Sequence, residues 1–222
     1  MQPLGLAPNT QPRILCLGAH SDDIEIGCGG TLLRLIGEYP GLQIDWVVLS
    51  SDAQREAEAR ASAEAFLGQV RQKRIAVERF RDGFFPASVA EIKPYFERLK
   101  DARPDLIFTH YRHDLHQDHR VVCELTWNTF RDHMILEYEI PKYDGDMGAP
   151  NVFVPLSRAL GQAKVQHLMG HFASQRSKRW FTDDTFLGLM RLRSIESGTQ
   201  EHYAEAFYGR KLIFAMRQPH ES

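Results

Sequence analysis

The chain has 222 residues, of which 43% are hydrophobic and 25% charged, with a formal net charge of -2. These values fit one globular domain with a sizeable core, and they argue against disorder and against a nucleic-acid protein with its usual basic surplus. Cys16, Cys28 and Cys123 form neither a disulfide framework nor a CxxC knuckle, and no apolar run nears the ~20 residues of a membrane span or the pattern of a signal peptide, so a cytoplasmic protein is expected.

In chain order, residues 1–12 contain three prolines and read as an extended lead-in. The apolar run RILCLG at 13–18 predicts a buried strand. A helix is expected over 29–38, a second strand over 43–50, and an Ala/Glu/Arg-rich helix over 54–67 that stops at Gly68. A third strand is expected over 75–80. An amphipathic helix follows over 89–100, with Pro94 either kinking it or marking its start. DLIFTH at 105–110 predicts a fourth strand, and 121–130 a helix. Beyond residue 140 the pattern weakens. PKYDGDMGAP at 141–150 reads as a polar loop lining a cleft, 152–155 as a late strand, and 159–172 and 186–195 as helices; 203–216 has no clear assignment.

Alternation of strands and helices predicts a three-layer α/β domain, with a largely parallel sheet and helices on both faces. Such sheets bind ligands beyond the carboxyl ends of their strands. His20, Ser51–Asp52, Asp82 and the stretch 110–119 each follow a strand, so the chemically interesting residues fall at one edge.

Two clusters carry chemistry. The first, AHSDDIE at 19–25, packs one imidazole and three carboxylates into a short turn. Carboxylates this close repel one another unless a cation or donor neutralises them, and His with Asp is an ordinary zinc or iron ligand pair. The competing reading is a helix cap, with Ser21 and Asp22 as caps and Glu25 completing a capping box. The second cluster, THYRHDLHQDH at 109–119, holds four of the chain's ten histidines and two aspartates. A strand-to-helix loop has no structural need for that density. Together the clusters supply two His and one Asp, a catalytic-type zinc set that leaves a position for water.

GAHSDDIEIGCGGT at 18–31 resembles the signature A-H-P-D-D-x-E-x-G-x-G-G of the PIG-L/LmbE-like metal-dependent N-deacetylases, and DLHQDH at 114–119 resembles that family's H-x-D-H motif. The likeness spans 13–130, and 131–222 is expected to complete the same domain and shape the substrate cleft. The resemblance implies a Rossmann-like fold, with His20, Asp23 and His119 as zinc ligands and Asp22 as general base. It gives His116 the part of stabilising or protonating in the transition state, and Asp118 that of orienting its neighbours. Asp82 and either Arg55 or Arg60 are implied as substrate contacts. Ser21 stands where the family usually has proline, which ligates nothing.

The implied reaction is hydrolysis of an N-acetyl amide on an N-acetylglucosamine-type sugar or conjugate, with Zn2+ or Fe2+ as cofactor and the sugar as the small-molecule partner. Homo-oligomerisation is compatible with the chain. Alternatives are hydrolysis of another acyl-amine and a non-catalytic metal-binding module, which would not require Asp22 and His116. Lesser signals take structural readings: the glycines of 27–30 for close helix–strand packing, Cys28 as a packed thiol, His167 and His171 as a helix face, and the basic run Arg176, Lys178, Arg179 before Trp180 as a solvated surface.

Overall fold

The computed structural model describes residue 6 and residues 11–213. The lead-in before residue 11 (residue 6 apart) and the stretch beyond 213 lie outside the described residues.

The sheet begins with β1 (Arg13–Gly18), β2 (Gln43–Val48), β3 (Gln72–Val77), β4 (Leu106–His110) and β5 (Met134–Tyr138), all parallel. β6 (Val152–Leu156) and β7 (Tyr203–Gly209) complete it, with β7 antiparallel to both β5 and β6. The order is β3-β2-β1-β4-β5-β7-β6. Register brings the carboxyl ends together: Gly18 faces Val48, Val48 faces Val77, and His110 faces Tyr138. The chain runs outward from β1 to β3 and then crosses back to β4. The crevice between the ends of β1 and β4 is therefore the topological switch point where such sheets hold ligands.

Helices cover both faces. α1 (Asp23–Glu38), α2 (Ala53–Phe66), α5 (Arg158–His171) and α6 (Asp183–Ser197) bury Leu32, Ala63, Leu168 and Met190 on one face, around Trp46 and Phe108. α3 (Val89–Leu99) and α4 (Gln117–Thr129) bury Ile92, Phe96, Val122 and Leu125 on the other. β1 is buried from its second residue onward because it lies between two helical layers, which explains its unbroken apolar run. No helix among the described residues is long and apolar enough to cross a membrane.

Several boundaries differ from expectation. α1 begins at Asp23, six residues before the predicted start. Its first turns are glycine-rich, and glycine is a weak helix former. Tertiary contact overrides that: a Cβ on Gly27 would lie 2.2 Å from the Tyr138 ring, and one on Gly30 would lie 2.4 Å from Leu156. β3 starts at Gln72, earlier than predicted, because its polar first half pairs with β2 at the sheet edge. α3 runs through Pro94, and α4 starts at Gln117, four residues before the predicted position. β5 was not anticipated, and the unassigned 203–216 stretch contains β7.

Replacing Gly27 by alanine should lower stability by about 1–3 kcal/mol, the usual cost of overpacking. The denaturant midpoint should fall with the slope unchanged. A wild-type midpoint would contradict the close α1–Tyr138 packing.

Candidate metal centre

β1 ends at Gly18 and the chain turns at His20 into α1, whose first residue is Asp23. The capping-box reading of this turn does not hold. The Asp22 side chain makes no cap hydrogen bond, the Ser21 hydroxyl has no partner, and Glu25 turns away to accept from the Ser62 hydroxyl. Asp23 Oδ2 instead accepts from the His20 backbone N–H at 2.6 Å. Across the switch point, His116 is the N-cap of α4 and His119 lies in its first turn.

Three donor atoms from these two segments meet. His20 Nδ1 is 3.2 Å from His119 Nε2 and 3.4 Å from Asp23 Oδ2, and the His119–Asp23 edge is 3.6 Å. A tetrahedral zinc with nitrogen and oxygen ligands at about 2.1 Å sets its donor atoms roughly 3.4 Å apart. The residues present therefore fit such an ion. Other His/Asp combinations crowd the same point, including Asp23 with His110 and His119. His110 is set apart by its bonding: its Nε2 accepts from the Ala19 N–H at 2.9 Å, and its ring stacks on His119 at 3.9 Å.

Each imidazole is held from behind. His119 Nδ1 lies 2.9 Å from Asp114 Oδ2. His20 Nε2 lies 3.0 Å from Asp82 Oδ1 and 3.4 Å from Asp118 Oδ2. Asp118 also accepts the Gly83 N–H at 2.6 Å and the Phe85 N–H at 3.0 Å, which anchors the loop that carries Asp82. Carboxylates behind metal-ligating histidines fix ring orientation and tautomer. Asp114 had no assigned role in the sequence, although it stood inside the second cluster. Lys142, which reaches Asp114 Oδ1 at 3.0 Å, belongs to the 141–150 loop expected to line a cleft but had no role of its own.

The electrostatics describe a site short of positive charge. Burial works against a charged His20, but the hydrogen bonds it donates to the Asp118, Asp23 and Asp82 carboxylates outweigh it and raise its pKa well above 6.5. Burial also opposes ionisation of Asp23, and His119 and His110 reverse that, holding it well below the usual carboxylate range. Asp82 is lowered to about 2 by its hydrogen bond to His20. His119 is pushed down to about 3 by burial and by His110. Asp22 moves the other way: burial and the neighbouring Asp23 raise it, with Arg55 opposing. His116 is lowered by burial and by His20. Its Nδ1 accepts the Asp118 backbone N–H at 3.3 Å, which leaves the proton of a neutral ring on Nε2. The cationic His116 that protonates a transition state is thus disfavoured by its own capping bond.

A cleft of about 250 Å³ opens over these groups. His20, Asp22, Asp23, His116 and His119 form its floor, with Arg55 and Asp82 beside them. Arg55 donates from Nη2 to Asp22 Oδ1 at 3.0 Å, while Asp52 caps α2 and aims that first turn at the cleft. Arg60 is not brought to the site: it pairs with Glu56 at 2.9 Å and reaches the Val77 carbonyl at the end of β3. Lys142, Tyr143 and Asp144 of the 141–150 loop form one wall, and Lys178 and Trp180 form another, so the basic run is not merely a solvated face. His167 and His171 stack at 4.0 Å away from the centre, with His167 Nε2 bonded to Ser62 at 2.9 Å. Cys28 donates to its own helix at the Ile24 carbonyl.

Residues 15–130 match the PIG-L family, described as GlcNAc-PI de-N-acetylase. The fold is similar to that of a conserved protein from Thermus thermophilus, with a TM-score of 0.70 and 21% identity over 92% of this chain and 97% of that one. N,N'-diacetylchitobiose deacetylase from Pyrococcus horikoshii superposes with a TM-score of 0.67 and 20% identity over 88% and 82% of the two chains. The 4-carboxy-2-hydroxymuconate hydratase of Pseudomonas putida gives 0.72 and 15% identity over 94% and 100%. At these identities the structural likeness speaks to fold alone.

Metal affinity should depend on pH with a defined sign. In the metal-free protein His20 holds its proton to well above pH 6.5, and that proton competes with a cation for Nδ1. Competition is strongest below the raised pKa and disappears above it. Zinc affinity should therefore still be rising above pH 6.5, with proton release seen in calorimetry run in buffers of different ionisation heat. Affinity flat between pH 6 and 8, with no proton release, would contradict this picture.

Proposed function

The chain belongs to the PIG-L family, and on that premise we propose that it is a metal-dependent N-deacetylase acting on an N-acetylglucosamine-type sugar or sugar conjugate. His20, Asp23 and His119 hold the ion. Two imidazoles and one carboxylate suit Zn2+ and also Fe2+. When bound there, the ion supplies a Lewis acid that brings the pKa of a water towards about 7 and polarises an amide carbonyl.

The remaining groups divide the work on the proton and the oxyanion. Asp22 takes a proton from the attacking water. Its raised pKa suits a base that must afterwards return the proton to the departing amine. Arg55, 3.0 Å from its Oδ1, keeps the carboxylate aimed. His116, neutral and protonated on Nε2, donates to the developing oxyanion, the role of a fixed donor in any oxyanion hole. Asp118 and Asp114 hold His20 and His119 in their tautomers. Asp82 at the mouth, with 59% of its side chain exposed, contacts a sugar hydroxyl.

The observation that carries this reading is the Asp22 carboxylate. It is buried beside the donor triangle, serves no helix cap, and is held by an arginine of the next helix. A module that only stored metal would have no use for it. The free, buried cysteines suit a reducing compartment, and we place the protein in the cytoplasm.

Asp22→Asn should retain metal stoichiometry and lose roughly 10²–10⁴ in the rate of amine release, measured on a panel of N-acetylated sugars with and without chelator. Metal-loaded Asp22→Asn protein with near wild-type turnover would remove Asp22 from the mechanism. Wild-type protein that releases no amine from any member of the panel would remove the reaction.

A further inference from the structure

Behind His119 stands the Asp114 carboxylate, which is buried, and both of its oxygens are engaged. Oδ2 accepts from His119 Nδ1 at 2.9 Å. Oδ1 accepts the His116 backbone N–H at 2.8 Å and lies 3.0 Å from Lys142 Nζ. Lys142 comes from another segment, the 141–150 loop, and its side chain is only 8% exposed although it borders the cleft. Its ammonium also pairs with Asp146, whose Oδ2 accepts the Leu115 N–H at 2.7 Å. One cation therefore joins two carboxylates whose side chains are almost wholly buried. Burying a lysine costs hydration and side-chain entropy, and a hydrophobic residue of similar length would fill the same space at lower cost. The two residues that follow it, Tyr143 and Asp144, wall the cleft.

The charge has a use at Asp114. A carboxylate turns easily about its Cβ–Cγ bond, because that torsion is broad and soft. The His116 N–H restrains Oδ1 from within the same turn of chain, and Lys142 restrains it from a separate segment. From this geometry we infer that Lys142 is a positioning residue of the centre: it locks the Asp114 carboxylate so that Oδ2 keeps the His119 Nδ1–H, and His119 Nε2 stays aimed at His20 Nδ1 and Asp23 Oδ2. The same ammonium ties the cleft wall of Tyr143 and Asp144 to that carboxylate. The inference goes beyond the deacetylase reading, which gives Lys142 no part, and rests on it only for what the centre then does.

Two readouts other than turnover test this in the full-length protein. Histidine NMR of the metal-free protein shows the His119 Nδ1–H hydrogen bond as a downfield proton, and competition with a chromophoric chelator gives the zinc affinity. Asp146→Asn serves as the reference. The double variant Lys142→Met/Asp146→Asn removes one charge of each sign, and Asp114 keeps its bonds to His116 and His119. Relative to the reference, the double variant should lose the Nδ1–H signal to solvent exchange and bind zinc about tenfold more weakly, the low end of what groups behind metal ligands typically carry. Lys142→Arg, which keeps the cation, should retain both the signal and the affinity. Lys142→Gln carries the same expected losses and replaces the double variant should that one not fold. Reference-like signal and affinity without Lys142 would overturn the inference. A lower unfolding midpoint with both readouts unchanged would make Lys142 a structural residue alone and overturn it equally. Wild-type protein that binds no zinc would sink the metal-centre reading, while the Nδ1–H comparison would still decide whether Lys142 holds Asp114.

Discussion

The crowding of negative charge at one point of the sheet governs the rest of this structure. Asp22, Asp23 and Asp118 are each 3% exposed or less, and all lie around His20 at the end of β1. Buried carboxylates in such numbers are costly unless something positive lies among them. In the protein alone the compensation comes from the Arg55 guanidinium beside Asp22 and from His20, whose surrounding carboxylates favour its protonated form. A divalent cation held as proposed would do the same work, since the donor atoms of two imidazoles and one carboxylate already stand at a suitable spacing.

That centre also organises its surroundings. Asp118 joins a histidine of the triangle to the backbone of the 83–85 segment, so the loop after β3 and the turn after β1 are fixed by one carboxylate. Asp114 joins His119 to Lys142, which connects the centre to the 141–150 loop. The far end of that loop is held by Arg193, which donates to the Gly148 carbonyl while forming a two-point pair with the buried Glu139. Loops that read as irregular in sequence are therefore tied to the site through charged hydrogen bonds, which are stronger than neutral ones.

Much of this was legible from residue order, for physical reasons. β1 and β4 are central parallel strands buried on both faces, so each reads as an apolar run, and β2 does so over its buried second half. The two clusters stood out because no capping or packing role needs so many imidazoles and carboxylates together. What was hidden depended on contacts between distant segments. The start of α1 was masked by glycines whose purpose, clearance for Tyr138 and Leu156, lies on other strands. Arg55 and Arg60 could not be separated by composition. Five residues apart on one helix, they point about 140° away from each other, and only the docking of α2 decides which meets the cleft. Asp114 was visible but mute, and Lys142, Lys178 and Trp180 reach the cleft through loop paths that no local periodicity encodes.

The fold by itself does not choose the chemistry, since a hydratase and a deacetylase share it. The choice falls to the residues around the ion. The most direct test is anomalous diffraction at the zinc absorption edge from crystals of the zinc-loaded protein. One peak is expected inside the triangle of His20 Nδ1, Asp23 Oδ2 and His119 Nε2, at roughly 2.0–2.2 Å from each, with His110 uncoordinated. A peak ligated by His110 in place of His20, or no peak between these two segments at all, would contradict the proposed centre.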